Sequence, residues 1–289
     1  MGDEVPAELL EIAEALLPGA PMDTASLAQG SHHDIVLLPG VAAVRISRHE
    51  RAAAALPRRT RLLRLIGASG LPFAVPEPLT PVTRFAGRAA VAVSWVGGTG
   101  LPRDAADPAK LAALLRSLSE VPLTPELRAL LETPNEDATG RPWADFMAEQ
   151  VIPNLPARWR ADGRRRLDAA VQLEPVAAAL VHGDLGTTNV HWGPDGALVG
   201  VLDWDLARAF DPALDAALLS WFGWDTVRAA VDAGTFRRAR IWDGLFGSEH
   251  VIAVLNGIAE RDVERFVPYL VRWLEEHADP PGGAHSGSR

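Results

Sequence analysis

The sequence predicts an α+β protein built as two lobes. Strand-like apolar runs crowd into the first 96 residues, helical apolar spacing dominates afterwards, and a Gly97-Gly98 pair lies between them. The resulting division is 1–96, 97–279 and a tail at 280–289 whose Pro, Gly and Ser content offers little to bury and predicts disorder.

In chain order, Glu8 to Leu17 has helical spacing and stops at Pro18-Gly19. Ile35 to Leu38 and Val41 to Ile46 read as strands around a Pro39-Gly40 turn. Arg51 to Ile66 has helical composition, with a start or kink expected at Pro57. Val91 to Val96 is a third strand, and the glycines after it mark the candidate hinge. Asp107 can cap a helix that has Pro108 at its first position and Leu111, Leu114, Leu115 and Leu118 on one face. A further helix is expected over 164–180. Val190–Trp192 and Leu198–Leu202 flank the turn Gly193-Pro194-Asp195-Gly196 as a hairpin. Val263, Phe266, Val267, Leu270 and Leu274 give a terminal amphipathic helix. No internal repeat is evident.

Composition narrows the function. With 289 residues, nearly half of them apolar, the chain can bury a sizeable core. The absence of cysteine excludes disulfides, thiolate nucleophiles and cysteine-bound metal. No basic-then-apolar leader and no apolar run of about 18 residues is present, so the expected address is the cytoplasm, without a membrane partner. Residues 1–96 are neutral, 97–180 carry −2 and 181–289 carry −7. An acidic final third argues against nucleic acid and suits a cationic ligand, although a solvated acidic surface is the commoner explanation of such an imbalance. No obligate protein partner is evident. Lys110 is the only lysine.

The chemistry concentrates between Val181 and Asp215, which holds HGDLGTTN (182–189), VLDWD (201–205) and DPALD (211–215). Phosphoryl transfer needs a group that orients the attacking hydroxyl, and oxygen ligands for the magnesium that neutralises phosphate charge. An Asp and an Asn five residues later on one loop, with a second Asp after a short hairpin, meet that need: Asp184, Asn189 and Asp203. Each alone would pass for a turn or cap residue. Together they specify a catalytic base, Asp184, and two metal ligands, Asn189 and Asp203.

These motifs resemble the aminoglycoside phosphotransferase family of kinase-like enzymes, whose catalytic loop reads HGD-x4-N. The resemblance runs from about Leu27 to His277. The stretches VAAVRISR, LPRRTRLLRLIGASGLPFAVPEPL and HGDLGTTNVHW look most like its viomycin and capreomycin phosphotransferase branch. It implies a protein-kinase-like fold, with a small, mostly antiparallel β N-terminal nucleotide lobe and a larger helical catalytic and substrate lobe. It also implies ATP or GTP with Mg2+ as cofactors, and a small, cationic antibiotic as phosphate acceptor: a basic peptide, an aminoglycoside or a macrolide. A metabolic kinase acting on choline or a sugar and an inactive nucleotide-binding relative are the alternatives.

Residue by residue, QGSHHDIVLL resembles the family's phosphate-covering loop, which places Gly30, Ser31 and His32 at the phosphates. Arg45 stands where the family has its phosphate-binding Lys, and Thr60 where a helical Glu normally pairs with that Lys. Lys110 reads as the solvent face of its helix. Adenine is expected at backbone groups around Ser94 and Val96, with Trp95 nearby. Gly183 replaces the Arg of protein kinases, which implies no dependence on activation-loop phosphorylation. His182 and Asp215 are expected to brace the catalytic loop. Asp205, Asp225 and Glu249 are candidates for a cationic substrate, each also readable as a solvated carboxylate. Eight of nine tryptophans, Trp221 and Trp224 among them, lie beyond the hinge and suit either ligand stacking or helix packing.

Overall fold

Alternating apolar residues on each side of Pro39-Gly40 fold into an antiparallel hairpin. β2 (His33–Leu38) pairs with β3 (Ala42–Ser47), and Gly40 takes the left-handed φ of +76° that the tight turn requires. In this computed structural model the described residues are 5–30, 32–103, 105–133, 142–258 and 260–277, with Glu260 described in its backbone only. The expectations for Ser31 and for the 280–289 tail fall outside them. β1 (Ser26–Gln29), β4 (Thr83–Phe85) and β5 (Arg88–Ser94) complete a five-stranded sheet in the order β1-β2-β3-β5-β4, every pair antiparallel. The third strand thus ends at Ser94, short of the expected Val96.

The two faces of this sheet have different partners. Val36, Val44, Ile46, Ala90 and Ala92 bury against Leu9, Ile12 and Ala13 of α1 (Ala7–Leu16). Ala89, Val91 and Val93 face the other way, onto Ala53, Leu56, Leu62, Leu63 and Ile66 of α2 (Glu50–Gly67), and this core continues into the helical lobe. The period of two puts Arg45, paired with Val91, on that second face, toward the cleft. Helix α2 starts well before Pro57, at Glu50, where the His49 ring accepts from the Ala52 amide (3.2 Å). Pro57 is therefore interior to the helix.

The helical lobe begins with α3 (Pro108–Glu120), capped by Asp107, whose carboxylate accepts from the Ala109 amide (2.8 Å). Leu111, Leu114 and Leu118 are buried and Leu115 is partly so. Lys110 is not free on a solvent face: its ammonium bonds to the Gly196 carbonyl in the turn of the catalytic hairpin. Next come α4 (Pro125–Arg128), α5 (Trp143–Phe146) and α6 (Ala157–Val171). The helix expected over 164–180 ends at Val171. Ala179–Val181 is instead a strand, β6, paired antiparallel with β9 (Arg208–Phe210), so long-range pairing overrides the helical preference of an Ala-rich run. Between them β7 (Val190–Trp192) and β8 (Leu198–Val201) form the expected hairpin. Helices α7 (Ala213–Leu218), α8 (Trp224–Ala230), α9 (Ala233–Gly244), α10 (Ser248–Leu255) and α11 (Val263–Glu276) close the lobe. All five apolar residues singled out on α11 are buried, each contributing roughly 1.5–3 kcal/mol for a fully buried large side chain. The arrangement is a two-lobed α+β fold, with an antiparallel sheet in the first lobe and mostly helices in the second. No described helix is long and apolar enough to cross a membrane.

The link between sheet and helices is tight at the backbone. Thr99 exchanges both hydrogen bonds with Trp192 (3.0 and 2.8 Å), and a Cβ on Gly100 would sit 2.1 Å from the Thr187 carbonyl of the catalytic loop. Glycine is obligatory there because the linker lies directly on that loop.

Candidate active site

β6 delivers His182-Gly183-Asp184, and the β7–β8 hairpin brings Asn189 and Asp203 together. The ladder extends one step past the strands, with the Leu202 amide donating to the Asn189 carbonyl (2.7 Å). Asn189 is thereby placed beside the residue preceding Asp203. Its side-chain NH2 donates to the Asp184 carbonyl and to Asp184 Oδ2, both at 2.9 Å. Both amide hydrogens are thus spent, and Asn189 Oδ1 and Asp184 Oδ1 remain as acceptors. Burial pushes the Asp184 carboxyl above its ordinary value, the Asp203 charge adds to this, and the Asn189 bond opposes it.

Asp203 adopts a left-handed backbone (φ 54°, ψ 67°), uncommon for a residue with a side chain, and its side chain is 54% exposed. An exposed carboxylate held in a costly conformation between two buried residues, Val201 and Trp204, marks a position shaped by something other than packing.

Behind the loop, Asp215 on α7 accepts from the His182 amide (2.7 Å) and the Gly183 amide (2.9 Å). Burial pushes its pKa up to about 7, against those two bonds and the Arg208 charge. His182 is fully buried, accepts from the Asp184 amide at Nδ1 (3.1 Å) and donates from Nε2 to the Leu202 carbonyl (2.8 Å). Burial lowers its pKa to about 4, so the ring is neutral at pH 7 and ties the loop to the strand leading to Asp203.

Gly183 has φ +82°, and a Cβ there would lie 2.7 Å from the Leu206 carbonyl. A side chain at this position, including the Arg of protein kinases, is incompatible with the close approach of the two loops. Gly183→Ala is expected to destabilise the protein by roughly 1–3 kcal/mol and to lower turnover, because the backbone that moves carries Asp184. A melting temperature and turnover both equal to those of the unaltered protein would contradict this.

The cation side differs from expectation. Arg45 is buried, and its guanidinium donates to Asp205 Oδ2 (2.6 Å), meets His33 Nδ1 (3.3 Å) and lies 3.8 Å from Asp203 Oδ1. Asp205 is also buried, with Arg59 Nη1 2.8 Å from the same Oδ2. Burial would raise the Asp205 pKa, but Arg45 and Arg59 bring it down to about 2. Asp205 is therefore an internal counter-ion, and its assignment to a cationic substrate is corrected. Thr60 faces inward but donates its hydroxyl to the Leu56 carbonyl (2.8 Å), so it forms no partner for Arg45.

Arg59 and His33 were not singled out from sequence. A signal existed for the first: Arg59, Leu62 and Ile66 fall on one helical stripe, and an arginine within an apolar stripe is out of place on a surface.

Of the remaining candidates, Gly30 closes the β1–β2 loop, its amide donating to the His33 carbonyl (2.9 Å) and its carbonyl accepting from Arg48 (3.0 Å). That amide is not available to a ligand. Gly30 does not adopt a left-handed φ, and a Cβ there would make one ordinary contact, 3.7 Å from the His33 carbonyl. His32 is exposed and bonds to His49 (3.1 Å).

At the hinge, the Ser94 amide donates to the Glu77 carbonyl (2.8 Å) and the Ser94 hydroxyl accepts from the Glu77 amide (2.9 Å). Any base contact from an amide must therefore come from beyond Ser94. Val96 is buried against β8, where a Cβ on Gly200 would meet its side chain. Asp225 and Glu249 are exposed on the first turns of α8 and α10, and nothing among the described residues links them to the loop. Trp221 is exposed under the Arg103 guanidinium (4.6 Å), and Trp224 lies under Arg240 (4.3 Å).

An antiparallel sheet over a helical lobe, with an Asp–Asn loop facing an Asp beyond a hairpin, is the architecture of a kinase-like phosphotransferase. The chain belongs to the phosphotransferase enzyme family (APH), whose model matches residues 26–248, and is by class a small-molecule phosphotransferase. It is 29% identical over 230 residues to viomycin phosphotransferase of Streptomyces vinaceus, covering 72% of this chain and 77% of that one. Among solved structures it is similar to the GDP and kanamycin complex of APH(2″)-IIIa, with TM-score 0.74, 20% identity, and 94% and 98% of the two chains covered. It is also similar to macrolide 2′-phosphotransferase type I, with TM-score 0.62, 19% identity, and 96% and 99% covered.

Proposed function

We propose that the chain transfers the γ-phosphoryl group of ATP or GTP to a hydroxyl of a small cationic antibiotic, conferring resistance. The observation that carries this reading is the convergence of Asp184, Asn189 and Asp203, with two carboxylates and one amide oxygen open to the cleft. In this scheme residues 1–96 form the nucleotide lobe and 97–279 the catalytic and substrate lobe.

The donor set suits magnesium. Asn189 Oδ1 and an Asp203 oxygen are hard ligands, and a magnesium site commonly needs only one or two protein groups alongside phosphate oxygens. Bound magnesium neutralises charge on the β- and γ-phosphates. Arg45 occupies the strand position facing those phosphates, and Gly30 and His32 border them.

Asp184 Oδ1 accepts the acceptor's hydroxyl hydrogen and aims the oxygen at the γ-phosphorus. As the new P–O bond forms, the bond to the β–γ bridging oxygen breaks, the nucleoside diphosphate leaves, and the proton passes to Asp184. His182 and Asp215 hold the loop while this occurs.

The acceptor class rests on the relatives and on charge. The relative in Streptomyces vinaceus is named for viomycin, and the similar structures are named for, or contain, an aminoglycoside and a macrolide. The acidic surplus open to a ligand is less than the sequence suggests, because Asp205 is consumed by Arg45 and Arg59 of the first lobe and Asp215 is buried behind the loop. Asp211 pairs with Arg238 of the same region (2.7 Å) and leaves the balance unchanged. Asp225 and Glu249 are the proposed cation receptors that remain exposed. Steady-state turnover with basic-peptide, aminoglycoside, macrolide and neutral-alcohol panels tests the reading. The expected outcome is phosphorylation of an amine-bearing antibiotic with a KM that rises with salt. Turnover of neutral metabolites alone would overturn the substrate assignment.

A further inference from the structure

In the kinase-like pattern that the sequence resembles, one strand cation is fixed by a carboxylate on the neighbouring helix. Here the polarity is reversed. Helix α2 contributes a cation, Arg59, and the carboxylate comes from Asp205, two residues past Asp203 on the turn Trp204–Leu206. A single oxygen, Asp205 Oδ2, lies 2.6 Å from Arg45 Nη2 and 2.8 Å from Arg59 Nη1. Both arginine side chains are nearly buried, at 10% and 12% exposure. Two guanidiniums are thereby held together over one carboxylate, an arrangement that mutual repulsion would break without it.

Two further observations indicate that this cluster is built for an anion. The Arg59 Nε and Nη1 atoms are buried without a hydrogen bond, since Nη1 is close to Asp205 but not aligned with it. Buried donors left unmade are costly, and a small shift of the guanidinium toward an oxygen acceptor entering the cleft would remove that cost. The cluster also adjoins the β1–β2 loop, since His33, which opens β2, contacts Arg45 (3.3 Å).

We propose that Asp205 is a positioning residue that sets Arg45 and Arg59 side by side as a paired guanidinium clamp for the nucleotide's terminal phosphates, with Arg59 a phosphate-contacting residue in its own right. The inference rests on the nucleotide-dependent reading above. Two planar guanidiniums supply more directional donors than one ammonium, which compensates for the missing lysine. Asp205 lies on the turn that Asp203 opens, so the clamp and the proposed metal ligand share one short segment.

The test is binding by calorimetry, with ATP, GTP and adenosine as probes, on the full chain and on Arg59→Ala, Asp205→Asn and Asp205→Glu. Arg59→Ala is expected to weaken ATP or GTP at least about tenfold, since a charge-assisted bond to phosphate is lost, and to leave adenosine unchanged. Asp205→Asn is expected to weaken the triphosphate at least as much, with adenosine again unchanged, and Asp205→Glu to restore part of the loss. The Arg59→Ala, Asp205→Asn double variant is expected to lose less than the sum of the single losses. Equal losses for triphosphate and adenosine, or no loss in folded Arg59→Ala, would overturn the clamp while leaving the nucleotide reading intact. Failure of the unaltered protein to bind either triphosphate would overturn both. Should Asp205→Asn not fold, Arg59→Ala and Arg59→Lys decide alone, with Lys expected to recover only part of the triphosphate affinity.

Discussion

Asp184→Asn is expected to lower kcat by about 10²–10⁴-fold, the range contributed by a positioned general base, while nucleotide affinity changes little. The substitution is nearly isosteric, and its amide oxygen can still accept from Asn189 Nδ2, so the 2.9 Å contact that orders the loop is retained. What is lost is the proton acceptor at Oδ1. The other structural supports of the loop do not involve the Asp184 side chain: Asp215 holds the His182 and Gly183 amides, and His182 holds the Asp184 amide. Circular dichroism and melting should therefore match the unaltered protein. Near-normal turnover in a folded Asp184→Asn variant would remove Asp184 from the role of base. The expected split, with kcat falling and the nucleotide KM steady, also separates this residue from Arg45 and Arg59, whose loss should act on nucleotide binding.

The parts legible in the sequence are those whose geometry is local. Asp184 and Asn189 share one loop, and the hairpin that carries the chain to Asp203 has its own turn signal, so one stretch of about twenty residues encodes all three positions. The sheet alternation that turns Arg45 toward the cleft is equally local. The Arg45–Asp205 pair was not legible, because its members lie 160 positions apart. In sequence, a carboxylate in VLDWD looks like any solvated one until a strand and a helix bring two arginines onto it. The strand at Ala179–Val181 was hidden for a similar reason: its partner, Arg208–Phe210, lies beyond the whole catalytic hairpin. The misplacement of Lys110 has another origin. Helical spacing fixes which face it occupies, but the hairpin turn that packs there is long-range, and the ammonium finds the Gly196 carbonyl in place of water.

Asp203→Asn is the second substitution expected to have a large effect, and it acts through charge. Asparagine tolerates the left-handed backbone that Asp203 adopts, so φ 54° adds little strain to the variant, whereas alanine would combine strain with charge loss. The exposed carboxylate lies 3.8 Å from Arg45 and faces the same cleft as Asn189 Oδ1. Removing its charge takes away an anionic magnesium ligand and also relieves repulsion toward the phosphates. The two consequences have opposite signs, which makes the prediction specific. With magnesium present, ATP binding should weaken and turnover should fall on the order of 10²–10³-fold, as for loss of a group stabilising transition-state charge. With magnesium chelated, ATP should bind the variant at least as well as the unaltered protein. Measuring the ATP dissociation constant across a magnesium titration, in both proteins, reads the difference directly. An unchanged magnesium dependence in Asp203→Asn would place the metal elsewhere. It would leave Asp203 as a strained carboxylate whose main contact is Arg45, and its exposure to the cleft would need another cause.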